Sequence, residues 1–165
     1  MRIIGLVGAA TLVAAAGCAH ITGANSNGTV SLSTQRTPQQ VLEVARTQLV
    51  HHGFDVSTTG GDMVVTTPKA VPAYLREVST ARNGGDQSQQ QYFIVVSAER
   101  HRFVGGSRVR VTGYLLPPGA GTTRAVSAGN RLEQTAVPIT ESNPKLFRQV
   151  QVTADWINDA LRRGK

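Results

Sequence analysis

The order of hydrophobic periods along this chain predicts an α+β domain, with an antiparallel sheet of four to five strands and two helices packed on one of its faces. Three observations carry that expectation. Val41, Leu42, Ala45 and Leu49 recur at helical steps behind Thr37-Pro38. Tyr92 to Val96, and then Val109, Val111 and Leu115, form two strand-like runs around Gly105-Gly106. Leu146, Val150, Ala154, Ile157 and Leu161 return to the helical period behind Asn143-Pro144. The resulting order is helix, hairpin, linker, hairpin, edge strand, helix, and no internal repeat is present.

The chain begins with Met1-Arg2 and an uncharged run of apolar and small residues from Ile3 to Ala16. This is the layout of a secretory signal rather than of a folded element. As a helix the run would span roughly 21 Å, short of the ~30 Å hydrocarbon core of a bilayer. Ala15-Ala16-Gly17-Cys18 resembles the lipobox of bacterial lipoproteins, with Ala15 where that family usually has Leu. The resemblance implies removal of residues 1–17 and acylation of Cys18. It also implies an exported protein anchored in the cell envelope, with Ala19 pointing to the outer membrane and the periplasmic side. The other reading is an ordinary cleavage after Ala14-Ala15-Ala16, which would leave Cys18 as a free thiol. Cys18 is the only cysteine, so an exported domain must fold without an intrachain disulfide.

Residues 19–36 are rich in Gly, Asn, Ser and Thr, with isolated Ile21, Val30 and Leu32. They read as a flexible tether between Cys18 and a single domain over 37–163. Thr37 is placed to accept from helical amides, Pro38 suits the first helical position, and Gln40 can complete a capping box. Gly53 is the expected stop, with Phe54 folding back on Leu49 in a Schellman arrangement. Phe54, Val56 and Thr58, the Gly60-Gly61 turn and Met63 to Thr67 then read as a hairpin ended by Pro68. Pro72 to Ala81 is either a short helix or a loop lying on the core. The polar stretch from Asn83 is expected to be a mobile loop.

The strongest strand run is Gln91 to Arg100, whose nearly continuous apolar character predicts coverage on both faces. Ser107 to Leu116 alternates apolar residues with Arg108, Arg110 and Thr112, giving one apolar and one basic face. A Gly/Ala/Thr-rich loop follows Pro117-Pro118-Gly119, and Thr135 to Thr140 is a candidate edge strand to which Pro138 is suited. In the last helix Phe147 joins the buried stripe, Trp156 borders the core, and Arg162 and Arg163 oppose the negative helix end.

The formal net charge is +7, which favours anionic partners. Export directs that preference to lipid head groups or an acidic envelope protein rather than to nucleic acid. Arg100, Arg102, Arg108 and Arg110 concentrate charge on the second hairpin and are the candidate anionic-surface contacts; the competing view is that they only solvate a sheet face. Phe93, Leu115 and Trp156 are the candidate lining of an apolar-ligand cavity.

Chemistry finds little support. His51 and His52 are adjacent at a helix end and diverge by about 100°, and His20 and His101 lie elsewhere, so no metal site is expected. Ser142-Asn143-Pro144-Lys145 matches the S-x-x-K string of penicillin-recognising enzymes, but its companion strings are missing and Pro144 marks a helix start. No carboxylate pair stands in an apolar run, and no phosphate loop is present. A cofactor is not expected, and neither is a catalytic residue.

Helices flanking an antiparallel sheet behind a lipobox resemble the helix-grip domains of BamC-type accessory lipoproteins of outer-membrane protein assembly. That resemblance implies a non-catalytic, partner-binding role, with no residues transferable. The expected function is therefore a membrane-anchored structural or protein-interaction module of the envelope. The alternative is a carrier for a small apolar ligand or lipid, and an enzyme built from the long loops stands third.

Overall fold

The computed structural model describes residues 20–25, 27–58, 61–76, 90–102, 105–116 and 136–163. The signal segment, Cys18 and most of the two long loops expected at 83–90 and 117–134 lie outside these residues. What is described is α+β. Eight strands form one antiparallel sheet: β1 (His20–Asn25), β2 (Thr29–Thr34), β3 (Val56–Thr58), β4 (Met63–Thr66), β5 (Lys69–Ala70), β6 (Gln91–Arg100), β7 (Ser107–Leu116) and β8 (Val137–Pro138). Two helices, α1 (Pro38–His51) and α2 (Pro144–Arg163), complete it.

The sheet runs in the order β1-β2-β7-β6-β4-β3, with β5 pairing β6 and β8 pairing β7. Each of the two long central strands therefore carries two partners end to end on its outer edge. Along β6 the partner chain leaves the ladder after Thr66 and returns at Lys69. Across that break the buried Thr66 hydroxyl accepts the Ile94 N–H at 2.8 Å, which satisfies a donor that would otherwise lack a partner. Along β7, β2 pairs from Ser107 to Thr112 and β8 takes over at Tyr114 and Leu115.

This architecture corrects two expectations. The sheet has eight strands rather than four or five. The residues expected as a tether contain β1 and β2, so the folded domain begins at least at His20 and not at Thr37. The physical reason lies in β2 itself: Thr29-Val30-Ser31-Leu32-Ser33-Thr34 alternates strictly, Val30 and Leu32 are buried, and β7 offers an open edge in register. The Pro72–Ala81 ambiguity resolves, as far as it is described, to a single 3-10 turn at Ala73–Leu75.

Both helices lie on one face of the sheet. The capping box of α1 is complete: the Thr37 N–H donates to Gln40 Oε1 at 3.0 Å and the Gln40 N–H to the Thr37 hydroxyl at 3.4 Å. At its other end Gly53 takes φ +77°, and the Phe54 N–H reaches the Leu49 carbonyl at 2.9 Å in the expected Schellman geometry. Between helices and sheet, Leu32, Val41, Leu49, Ile94, Val96, Val109, Val111 and Ile157 are fully or almost fully buried, so this space is filled by side chains. Helix α2 approaches β7 closely because residue 113 is glycine. A Cβ there would stand 2.5 Å from Val150 Cγ2 and 3.0 Å from Ile139 Cδ1.

The opposite sheet face divides in two. At one end Val65, Phe93, Val95 and Leu116 form a second, smaller buried cluster with Met63, Tyr114 and Ala136 beside it. Toward the β6–β7 turn the same face carries Ser31, Ser33, Ser97, Glu99, Arg108 and Arg110 by register. Tyr92 to Val96 is thus buried on both faces, as its composition predicts.

Candidate functional site

Among the described residues two concave features stand out at the surface, and they sit on different parts of the fold. The first is at the β6–β7 turn. Glu99, Arg100, His101, Arg102 and Arg108 line an open groove of about 250 Å³. Gly106 shapes it: with φ +76° it packs so tightly on the Thr34 carbonyl and the Gln35 backbone that a side chain would overlap them. The neighbouring Ser107 hydroxyl donates to the Arg36 carbonyl at 2.7 Å. These contacts bring the end of β2, and with it Arg36, alongside the turn.

Charge at this end is unbalanced. Arg110 binds Glu99 at 2.8 Å and so removes the nearest carboxylate from the account. Asp62 adds a second acid, its carbonyl accepting the Ala98 N–H at 3.1 Å. Among the described residues no carboxylate lies within ion-pair distance of Arg36, Arg100, Arg102 or Arg108. Arg100, Arg102 and Arg108 are exposed and Arg36 is half-buried. His101 Nδ1 is buried without a hydrogen-bond partner. The start of α1, two residues beyond Arg36, contributes the positive end of a helix dipole and has no acid in its first turn.

The second feature is a cleft of about 520 Å³ between the C-terminal parts of the two helices, lined by Gln48, His51, His52, Trp156, Asp159, Ala160 and Arg163. His52 stacks on Trp156 with ring centroids 3.5 Å apart, and His51 meets His52 edge-on at 5.2 Å. Desolvation against the indole, and then the neighbouring His51 charge, hold the His52 imidazole below its ordinary pKa. The Arg163 guanidinium pairs with Asp159 at 3.6 Å.

The expected site residues separate accordingly. Arg100, Arg102 and Arg108 gather in the groove, whereas Arg110 stands one step along the sheet, tied to Glu99. Phe93, Leu115 and Trp156 do not converge. Phe93 belongs to the small cluster, where it stacks on Tyr114 at 5.2 Å, while Leu115 and Trp156 pack against the main core. Strand parity is the reason, because Phe93 and Leu115 point to opposite faces of paired strands. Ser142 and Lys145 are not partnered to each other: the Ser142 N–H donates to Thr140 Oγ1 and Lys145 Nζ to the Arg76 carbonyl.

Sequence reasoning missed three features. Arg36 beside the groove is one, since its carbonyl is held there by Ser107, distant in sequence. The His52–Trp156 stack is another, for which no local signal exists. The third is Lys69, whose ammonium lies 3.7 Å from the Phe54 ring centroid. Burial lowers the Lys69 pKa and Asp55 partly restores it, while burial pushes the Tyr92 hydroxyl beside them up to about 12. No group of three or more His, Cys, Asp or Glu able to hold a metal occurs among the described residues. None of the helices among the described residues is long and apolar enough to cross a membrane.

No protein-family model matches the chain, and no curated protein matches it either.

Proposed function

We propose that this chain is an exported lipoprotein, anchored to the envelope membrane through Cys18, that works as a non-catalytic structural or protein-interaction module. The observation that carries this reading is the filled space between sheet and helices. A carrier needs an enclosed apolar volume of several hundred Å³. Among the described residues Leu32, Ile94, Val111 and Ile157 occupy the interior, and the two concave features described above open at the surface and are lined largely by charged, polar and aromatic groups. Such surfaces suit contact with another macromolecule. The lipobox-like Ala15-Ala16-Gly17-Cys18 and the positive net charge support the location beside an anionic membrane.

The test is isolation of the protein from its own envelope after mild crosslinking, with mass spectrometry of its N-terminal peptide. The expected result is an acylated Cys18 and one reproducible protein partner. A stoichiometric co-purifying lipid beyond the anchor would support the carrier instead. An intact Met1 start, or an unmodified Cys18 in a soluble fraction, would overturn the envelope assignment.

A further inference from the structure

We propose that the sheet end formed by Arg36, Arg100, Arg102 and Arg108 lies flat against the anionic head groups of the same bilayer leaflet that holds Cys18, so that anchor and arginines fix the orientation of the domain. This rests on the reading of Cys18 as acylated. The structural argument is one of direction. Strand β1 begins at His20, which pairs with Ser33, and Ser33 pairs with Arg108, which in turn faces Glu99 next to Arg100. The start of β1, the end of β2 and the β6–β7 turn therefore occupy one end of the sheet.

Distances follow from covalent and sheet geometry. Two residues of chain keep the Cys18 Cα within roughly 7 Å of His20. Two strand spacings put the Arg108 backbone roughly 10 Å from His20, and a third puts β6 at roughly 14 Å. These are separations along the sheet end, so a lipid anchored at that sulfur brings this end to the bilayer, and each arginine that then lies within roughly 8 Å of the head groups is attracted by them at physiological salt. The charge matches the occupant. Four arginines without a described carboxylate partner share this end with the positive start of α1, while Glu99 is already bound by Arg110 and leaves Asp62 as the opposing acid. In the same sense of direction, the Schellman end of α1 and His52 point away from the membrane, because α1 starts beside the basic end and Phe54, just past its other end, meets Tyr92 at the opposite end of β6.

The experiment uses the full protein as purified from its membrane, reconstituted into vesicles of phosphatidylcholine alone or of phosphatidylcholine with phosphatidylglycerol. Phenylglyoxal modification of each arginine is followed by peptide mass spectrometry. At low salt the anionic vesicles should slow modification of Arg36, Arg100, Arg102 and Arg108 about fivefold or more relative to neutral vesicles. Arg148 and Arg163 on α2 should be unaffected, and high salt should remove the difference. R100E/R108E should abolish the slowing at Arg36 and Arg102 while the protein stays on the vesicles.

Equal rates at all arginines, or slowing centred on α2, would overturn the orientation. Slowing seen only in native envelopes and absent from both vesicle types would also overturn it, in favour of an acidic protein at this end. The N-terminal peptide from the same digest separates the two readings. Acylated Cys18 with unshielded arginines defeats the orientation alone, whereas an unacylated N-terminus defeats both.

Discussion

Replacing Gly113 by alanine should destabilise the domain although it adds only one methyl group. The new Cβ would stand 2.5 Å from Val150 Cγ2 and 3.0 Å from Ile139 Cδ1, where apolar atoms prefer about 3.5–4.0 Å. Val150 cannot turn aside easily, because a β-branched side chain in a helix is confined to one main rotamer. The relief must come from lifting α2 off β7 by about 1 Å along its central turns, and overpacking of this kind costs about 1–3 kcal/mol. The intrinsic gain of alanine over glycine in a strand, roughly 0.5–1 kcal/mol, offsets part of that.

A double-mutant cycle isolates the contact. V150A alone should cost about 2–3 kcal/mol through lost burial and the cavity left behind. In G113A/V150A the new methyl group occupies part of that cavity, so the double variant should be more stable than the sum of the singles by about 1–2 kcal/mol. Equilibrium urea unfolding followed through the single tryptophan, Trp156, reads all four proteins. If G113A unfolds at the wild-type midpoint, or if the two substitutions simply add, the close approach of α2 to β7 is not what places glycine at 113.

T66V should cost about 1–3 kcal/mol, because the isosteric valine strips the buried Ile94 N–H of its acceptor, while T66S, which keeps the oxygen, should stay nearer the wild type in the same urea series. Tyr92 has a folded-state pKa raised to about 12, so the folded state retains a proton that the unfolded chain loses above about 10. Stability should therefore be intact below pH 10 and fall as pH rises toward 12, and Y92F should show a smaller alkaline loss than the wild type in paired melts. His52 lies against the only tryptophan, with its pKa lowered by desolvation first and His51 second. Trp156 emission should titrate with a midpoint below the ordinary histidine value, H51Q should raise that midpoint without fully restoring it, and H52Q should abolish the transition.

Much of the fold is legible where local chemistry and tertiary packing agree. Thr37, Pro38 and Gln40 state the start of α1 in side-chain hydrogen bonds that need no distant partner, and Gly53 states its end by a backbone angle. The β6–β7 hairpin and the stripe of α2 are equally local. The first two strands were obscured by composition, since small polar residues dominate 19–36, although Asn27-Gly28 is a hairpin dipeptide and the alternation in Thr29–Thr34 has the strand period. Of the candidate site, Arg100, Arg102 and Arg108 could be grouped because one hairpin carries them. Arg36 could not be placed beside them, as its backbone is held next to the turn by a bond between residues 71 apart in the chain. The grouping of Phe93 with Leu115 failed on register, which sets whether a side chain faces helices or the opposite side and is invisible until the strand pairs are known.

If Cys18 carries the proposed anchor, the position of β1 limits how far this protein can act. An eighteen-residue leash could extend roughly 60 Å and let a domain sample much of the compartment around it. With strand structure starting at His20, that leash does not exist, and the working radius under the proposed anchoring is the height of the domain itself. A partner must then come to the membrane, or already reside in it, to be met.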